Sequence, residues 1–196
     1  MIYTGYYAKL KDYENAGLQP LSIAGRAPSF YKGPQYKSLA PEYKMFNDWK
    51  KGIIDNFEYT RIFTQHLDTL DKEAIRRTLN SFDKDVILLC YEKTGDFCHR
   101  HIVADWIEKN LNMRVDEYDV DYINAQKKLT EELMSYIITY DELYEELGNK
   151  TDRFLNTIEE NPPEGYFLYC TESPEGEREY TLENKEDFLQ EYGVGC

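Results

Sequence analysis

The chain has 196 residues, with 23 Lys and Arg against 37 Asp and Glu, a formal net charge of −14. That length suffices for one sizeable α/β core, or for a core and an extension. No apolar run approaches the ~20 residues that span a bilayer, and four cysteines are too few for a disulfide framework in a chain this long.

Met1-Ile2-Tyr3-Thr4-Gly5 shows no charged segment followed by an apolar one, so no secretion signal is expected. Reduced thiols, a cytoplasmic setting and no membrane partner follow as expectations. The charge is uneven. Residues 1–100 hold 15 basic against 13 acidic side chains, whereas residues 101–196 hold 8 against 24. The acidic half argues against direct nucleic-acid binding there, while the first half can receive a small anion. The 18 tyrosines are expected to serve packing rather than base stacking.

In chain order, Ile2 to Tyr7 reads as a strand, with Gly5 permitting close backbone approach. Lys9 to Ala16 reads as a short helix and Leu21 to Ala24 as a second strand. That strand runs into Gly25-Arg26-Ala27-Pro28-Ser29-Phe30-Tyr31. Gly33-Pro34 and Ala40-Pro41 punctuate a long loop of the kind that often carries function. Pro41 suits the first turn of a helix over Glu42 to Lys50. Apolar residues at helical spacing cover Glu58 to Leu79, with Asp71 able to cap a second helix within it.

Val86 to Cys90 is an apolar strand, and Ile102, Val103, Trp106, Ile107 and Leu111 form the stripe of a helix from about His99. Arg114 to Tyr118 is a further strand. Asn124 to Leu147 is acidic and helical in period, stopped by Gly148-Asn149. A helix follows to about Glu160. Tyr166–Thr171 and Arg178–Leu182, around Pro174-Glu175-Gly176, form a hairpin, and Asn184 caps a last helix. Strands separated by helical stretches predict an α/β fold: a small, mostly parallel sheet flanked by helices in Rossmann-like layers, with a C-terminal helical and β-hairpin extension. Residues 1–120 are read as the core and residues 121–196 as an acidic extension packed on it.

The most informative stretch is Cys90-Tyr91-Glu92-Lys93-Thr94-Gly95-Asp96-Phe97-Cys98-His99-Arg100. It is a strand-to-helix turn, which in open α/β sheets lies at the ligand-binding edge. The helix start offers free N–H groups to an anion. Cys98 near that start and next to His99 is expected to be an acidified thiol, with His99 and Glu92 as proton-transfer groups. Arg100, Arg26, Ser29 and Cys90 are the candidate ligand-binding residues. The plainer readings are Cys90 as a small buried hydrophobe, Arg100 paired with Asp96 or Glu92, and His66 and His101 on the surface. A cysteine-phosphatase loop is disfavoured, because the sixth residue after Cys98 is Ala104 and after Cys90 is Asp96, not arginine.

Ser22-Ile23-Ala24-Gly25-Arg26-Ala27-Pro28, then Tyr31, Gly33, Tyr36 and Leu39-Ala40-Pro41, together with Leu88 to Lys93 and Phe97-Cys98-His99-Arg100, resemble one known family. It is the domain of unknown function (DUF) 488 family, distantly related to YeaO-like proteins. The resemblance covers about residues 1–120. It implies a compact α/β fold and a shared pocket at Arg26, Cys90, Glu92, Cys98, His99 and Arg100, without a settled activity.

Three functions are therefore expected in competition. The first is a pocket that binds or processes a nucleotide-like or other anionic small molecule. The second is zinc binding through Cys90, Cys98 and His99, against which the adjacency of Cys98 and His99 counts. The third is an interaction protein using the acidic stretches Asp141–Glu146 and Glu172–Glu179 on a protein partner. Under the first reading, Cys98→Ser and Arg100→Ala are expected to fold normally and lose ligand.

Overall fold

The computed structural model describes residues 1–192, and Cys196 lies outside them. The chain divides into an N-terminal unit, Met1–Val120, and a C-terminal unit that begins at Asp121. Among the described residues, no helix is long and apolar enough to cross a membrane.

The N-terminal unit is α/β. Its elements are β1 (Ile2–Tyr6), α1 (Leu10–Asn15), β2 (Gln19–Ser22), α2 (Tyr43–Lys50), α3 (Asn56–Asp68), α4 (Lys72–Leu79), β3 (Val86–Cys90), α5 (His99–Leu111) and β4 (Val115–Glu117). The four strands form one parallel sheet in the order β2-β3-β1-β4. Both faces of β3 are covered, which explains its unbroken apolar run. Val86 and Leu88, with Ile2 and Leu21, meet Phe63, Leu67, Ile75, Val103 and Ile107 of the helices. Ile87 and Leu89 meet Tyr7, Tyr13 and Tyr31 on the other face. Gly5 is required there: a Cβ would stand 2.7 Å from both the Tyr13 ring and the Ile87 side chain. Many tyrosines are packing groups, with Tyr3, Tyr13 and Tyr118, and Tyr7, Tyr31 and Tyr91, in edge-to-face contact.

The second strand lies two residues earlier than its apolar run predicts. Pro20 is tolerated in it because β2 is an edge strand, where a missing N–H leaves no ladder bond broken. The loop that follows returns along that edge. Ser22 N–H donates to Pro34 O and Tyr36 N–H to Ser22 O, at 3.0 and 2.8 Å. Asp55 and Asp71 cap α3 and α4 by accepting from the N–H groups of Glu58 and Ala74. Asp71 thus splits the long helical stretch as its sequence suggested.

The C-terminal unit comprises α6 (Val120–Leu133, its first residue in the other unit), β5 (Ile138–Thr139), α7 (Tyr140–Leu147), α8 (Thr151–Glu160), β6 (Tyr166–Glu172), β7 (Arg178–Asn184) and α9 (Lys185–Tyr192). The single helix expected over Asn124–Leu147 is two helices. Thr139 and Glu142 form a reciprocal capping box that starts α7 afresh, and Ile138 pairs with Tyr180. The hairpin therefore becomes a three-stranded antiparallel sheet, β5-β7-β6. Leu129, Leu133, Leu143, Phe154, Ile158, Tyr180 and Leu182 fill the core of this unit.

Candidate functional site

The carboxyl ends of β2 and β3 form one edge of the N-terminal sheet. Ile23 N–H donates to Leu89 O at 3.1 Å, extending the strand pairing to the last residues before each turn. Tyr91 Oη donates to Arg26 O at 2.8 Å and ties the two turns together. Ala24, Gly25 and Arg26 then face Cys90, Tyr91, Glu92 and His99 across a cavity of about 680 Å³. Lys37, Ala40 and Pro41 from the long loop, and Tyr43, Phe46 and Lys50 from α2, complete it.

The floor holds the chemistry. Both sulfurs lie within hydrogen-bonding reach of Glu92 Oε2, each at 3.1 Å. His99 Nδ1 lies 3.4 Å from Cys90 Sγ and 3.9 Å from Cys98 Sγ. The other ring nitrogen, Nε2, is 3.0 Å from Ile23 O. A carbonyl only accepts, so Nε2 carries a proton, and Nδ1 is the ring atom that faces the sulfurs. Cys98 is the N-cap of α5, in extended conformation, and its sulfur accepts from Arg100 N–H at 3.5 Å. A second, much smaller recess borders Cys98 and shares Phe46, Glu92 and His99 with the main cavity.

The three acidic groups share protons unequally. Cys98 is brought down to about 5, first by the S–H bond from Cys90, against burial, with His99 and the Arg100 N–H adding to it. Cys90 is driven far up, because it supplies that proton and is buried. Burial raises the Glu92 carboxyl, but the bonds from Cys98 and Cys90 outweigh it and hold it below its ordinary value.

Arg100 is placed differently from the other candidates. It is fully buried and does not line the cavity, and its donors are engaged by the protein. Nη2 pairs with Glu117 Oε1 at 2.9 Å and reaches Lys93 O at 3.1 Å; Nη1 bonds Glu92 O. Glu117, the last residue of β4, also accepts from Thr4, Thr94 and His101. Arg100, expected to receive a ligand anion, has its guanidinium donors on Glu117, Lys93 and Glu92. Arg100 holds the turn that carries Glu92, and its partner is Glu117 rather than Asp96. His66 and His101 are half-buried rather than fully on the surface, His66 stacked on Phe63.

The structure thus brings Cys90, Cys98, His99 and Glu92 together and sets Arg26 on the cavity rim. Ser29 is exposed and does not line the cavity. Sequence reasoning passed over Lys37, Tyr43, Phe46 and Lys50. The signal available was a second, outward stripe on α2, where Tyr43, Phe46 and Lys50 fall three to four residues apart, away from buried Met45.

Comparison with known proteins yields one family. Residues 26–111 match the DUF488-N3a model, described as the active DUF488-N3 subclade. The match is shorter than the resemblance over residues 1–120, yet spans Arg26, Cys90, Glu92, Cys98, His99 and Arg100. No curated protein and no solved structure matches the chain. Residues 26–111 accordingly belong to the DUF488 family.

Proposed function

We propose that the N-terminal unit binds an anionic, nucleotide-like small molecule in the cavity at the ends of β2 and β3 and processes it at the floor. The observation that carries this reading is the charge of the lining. Arg26, Lys37 and Lys50 face the cavity with Glu92 as the one carboxylate, in a chain whose net charge is −14. None of the three cations makes an ion pair among the described residues, so a ligand anion meets charge that is not already neutralised.

The apolar part of such a ligand has surfaces to lie on. Phe46, Tyr91 and the 81% exposed Tyr43 line the same space. A volume of about 680 Å³ is in the range of small-molecule sites. In this reading the cations hold the anion and Arg100 positions the Glu92 turn. Glu92, His99 and Cys98 handle protons at the reacting end. The description of the matched subclade as active is consistent with a working site.

Calorimetric titration with adenosine, adenosine monophosphate and adenosine diphosphate tests the reading. Affinity is expected to rise with phosphate count. Arg26→Ala and Lys37→Ala are each expected to weaken the phosphorylated ligands by about 10-fold or more while leaving adenosine unchanged, since a charge-assisted bond contributes about 1.5–3 kcal/mol. Equal affinity for all three compounds, or no binding by any, would overturn it.

A further inference from the structure

We infer that Cys90, Cys98, His99 and Glu92 form a site for one thiolate-preferring divalent ion of the zinc class. This goes beyond the anion-pocket reading: with the ion bound, Glu92, His99 and Cys98 are its ligands rather than proton carriers, while binding of the anion by Arg26, Lys37 and Lys50 stands or falls separately. The first support is convergence. The ligand atoms of Cys90, Cys98 and His99 all lie within 4.8 Å of one another, and Glu92 Oε2 touches both sulfurs at 3.1 Å.

A size test agrees. With metal–sulfur bonds of ~2.3 Å and metal–nitrogen bonds of ~2.0 Å, a tetrahedral ion separates neighbouring ligand atoms by about 3.5 Å for a sulfur–nitrogen pair. The two sulfur–nitrogen distances here, 3.4 and 3.9 Å, bracket that value. For these two pairs, shifts of a few tenths of an ångström would suffice.

The second support is orientation. Metal-bound imidazoles generally donate their other N–H to a fixed acceptor, which sets the tautomer. Ile23 O already plays that part for Nε2, leaving Nδ1 aimed at the thiols. The adjacency of Cys98 and His99 proves no obstacle. Cys98 is an extended N-cap, with φ −148° and ψ 142°, and His99 is the first helical residue, so the two side chains turn to one side.

The third support is burial. Cys90 and Cys98 are each 3% exposed and His99 is 7% exposed, among Phe63, Tyr59 and Phe97. A buried cysteine that serves only as a small hydrophobe has no use for a carboxylate and an imidazole at its sulfur. Binding would release to solvent whatever protons the two sulfurs still carry and leave two thiolates, one imidazole nitrogen and one carboxylate oxygen around the dication. Cys90, Glu92 and His99 also line the main cavity, which places the ion at the floor that the anion would reach.

The test uses the full, reduced chain, stripped with a chelator and titrated with Co²⁺ alone and then Zn²⁺ alone. One Co²⁺ per chain is expected, with the intense visible bands of a tetrahedral ion and near-ultraviolet charge transfer for two thiolates, displaced by one Zn²⁺. Cys90→Ser and Cys98→Ser should each weaken Zn²⁺ by more than about 100-fold, since loss of an outer partner alone costs about 10–100-fold. Cys170→Ser, in the other unit, should change nothing. Where a serine variant fails to fold by circular dichroism, the wild-type charge-transfer intensity still counts the thiolates. A weak octahedral Co²⁺ spectrum, substoichiometric Zn²⁺ or dependence on Cys170 would overturn the inference. Nucleotide titration of the stripped chain reports on the anion pocket independently.

Discussion

The N-terminal unit buries Thr4, Ser22, His99 and Arg100 along with its apolar core, whereas the C-terminal unit buries Thr151 as its one such side chain among the described residues. Thr151 does a local task, closing the α8 start by donating to Gly148 O. The acidic side chains of α7 are exposed, and its core-facing residues, Leu143 and Leu147, are apolar. In the N-terminal unit Thr4, His99 and Arg100 are joined in one network through Glu117, Cys98 and Glu92, while Ser22 pairs with Tyr7, and desolvation is offset only while each keeps its partner. The lesson is that most of the buried polar groups in this chain gather into a connected network in one unit, whereas the other unit is built on apolar burial.

The comparison can be broken most severely at its two centres. Arg100→Ala should destabilise the N-terminal unit by about 3–5 kcal/mol, by leaving Glu117 without its charge partner. Phe154→Ala should cost the C-terminal unit a similar ~3–5 kcal/mol, but by opening a cavity. Hydrogen exchange followed within each unit would separate the two. A loss below about 1 kcal/mol at Arg100 would show that the network is not needed for folding.

An acid titration sharpens the contrast. Burial raises the Glu117 carboxyl, but bonds from His101, Arg100 and Thr4 prevail and hold it at about 2, below the ordinary 4.5. The folded pKa is depressed, so this stabilisation is complete above about pH 5 and lost as pH falls toward 2. It amounts to roughly 3 kcal/mol, and Glu117→Gln should flatten that slope in the N-terminal unit. Urea unfolding from pH 6 to 3 checks it; an unchanged slope in the variant would contradict the assignment. Thr139→Ala should cost about 1 kcal/mol, through the α7 cap, and leave the N-terminal unit untouched. Cys170→Ser, on exposed β6, should fall within about 0.5 kcal/mol of wild type, read in the same unfolding experiment.

Much of this arrangement was legible because it is local. The apolar run of β3, the helical stripe of α5, the Asp71 cap and the gathering of Cys90, Cys98 and His99 in one turn all follow from short spacings. What escaped is non-local or sits on a rule's exception. Arg100 meets Glu117 because β4 runs beside β1, a neighbourhood that no spacing in the chain encodes. Lys37 and Lys50 reach the cavity because the long loop and α2 fold over the sheet edge. Pro20 enters a strand only because that strand is at the edge. The break before α7 was the exception: Thr139-x-x-Glu142 was readable as a capping box and was overridden by the surrounding helical period.

The central claim is that the cavity at the ends of β2 and β3 receives the ligand. Amide chemical-shift mapping on labelled protein, titrated with adenosine diphosphate, tests it most directly. The account predicts shifts concentrated at Gly25, Arg26, Lys37, Tyr43, Lys50, Tyr91 and Glu92, with the C-terminal unit silent. Shifts centred on the C-terminal unit, or none at any site up to millimolar ligand, would contradict it.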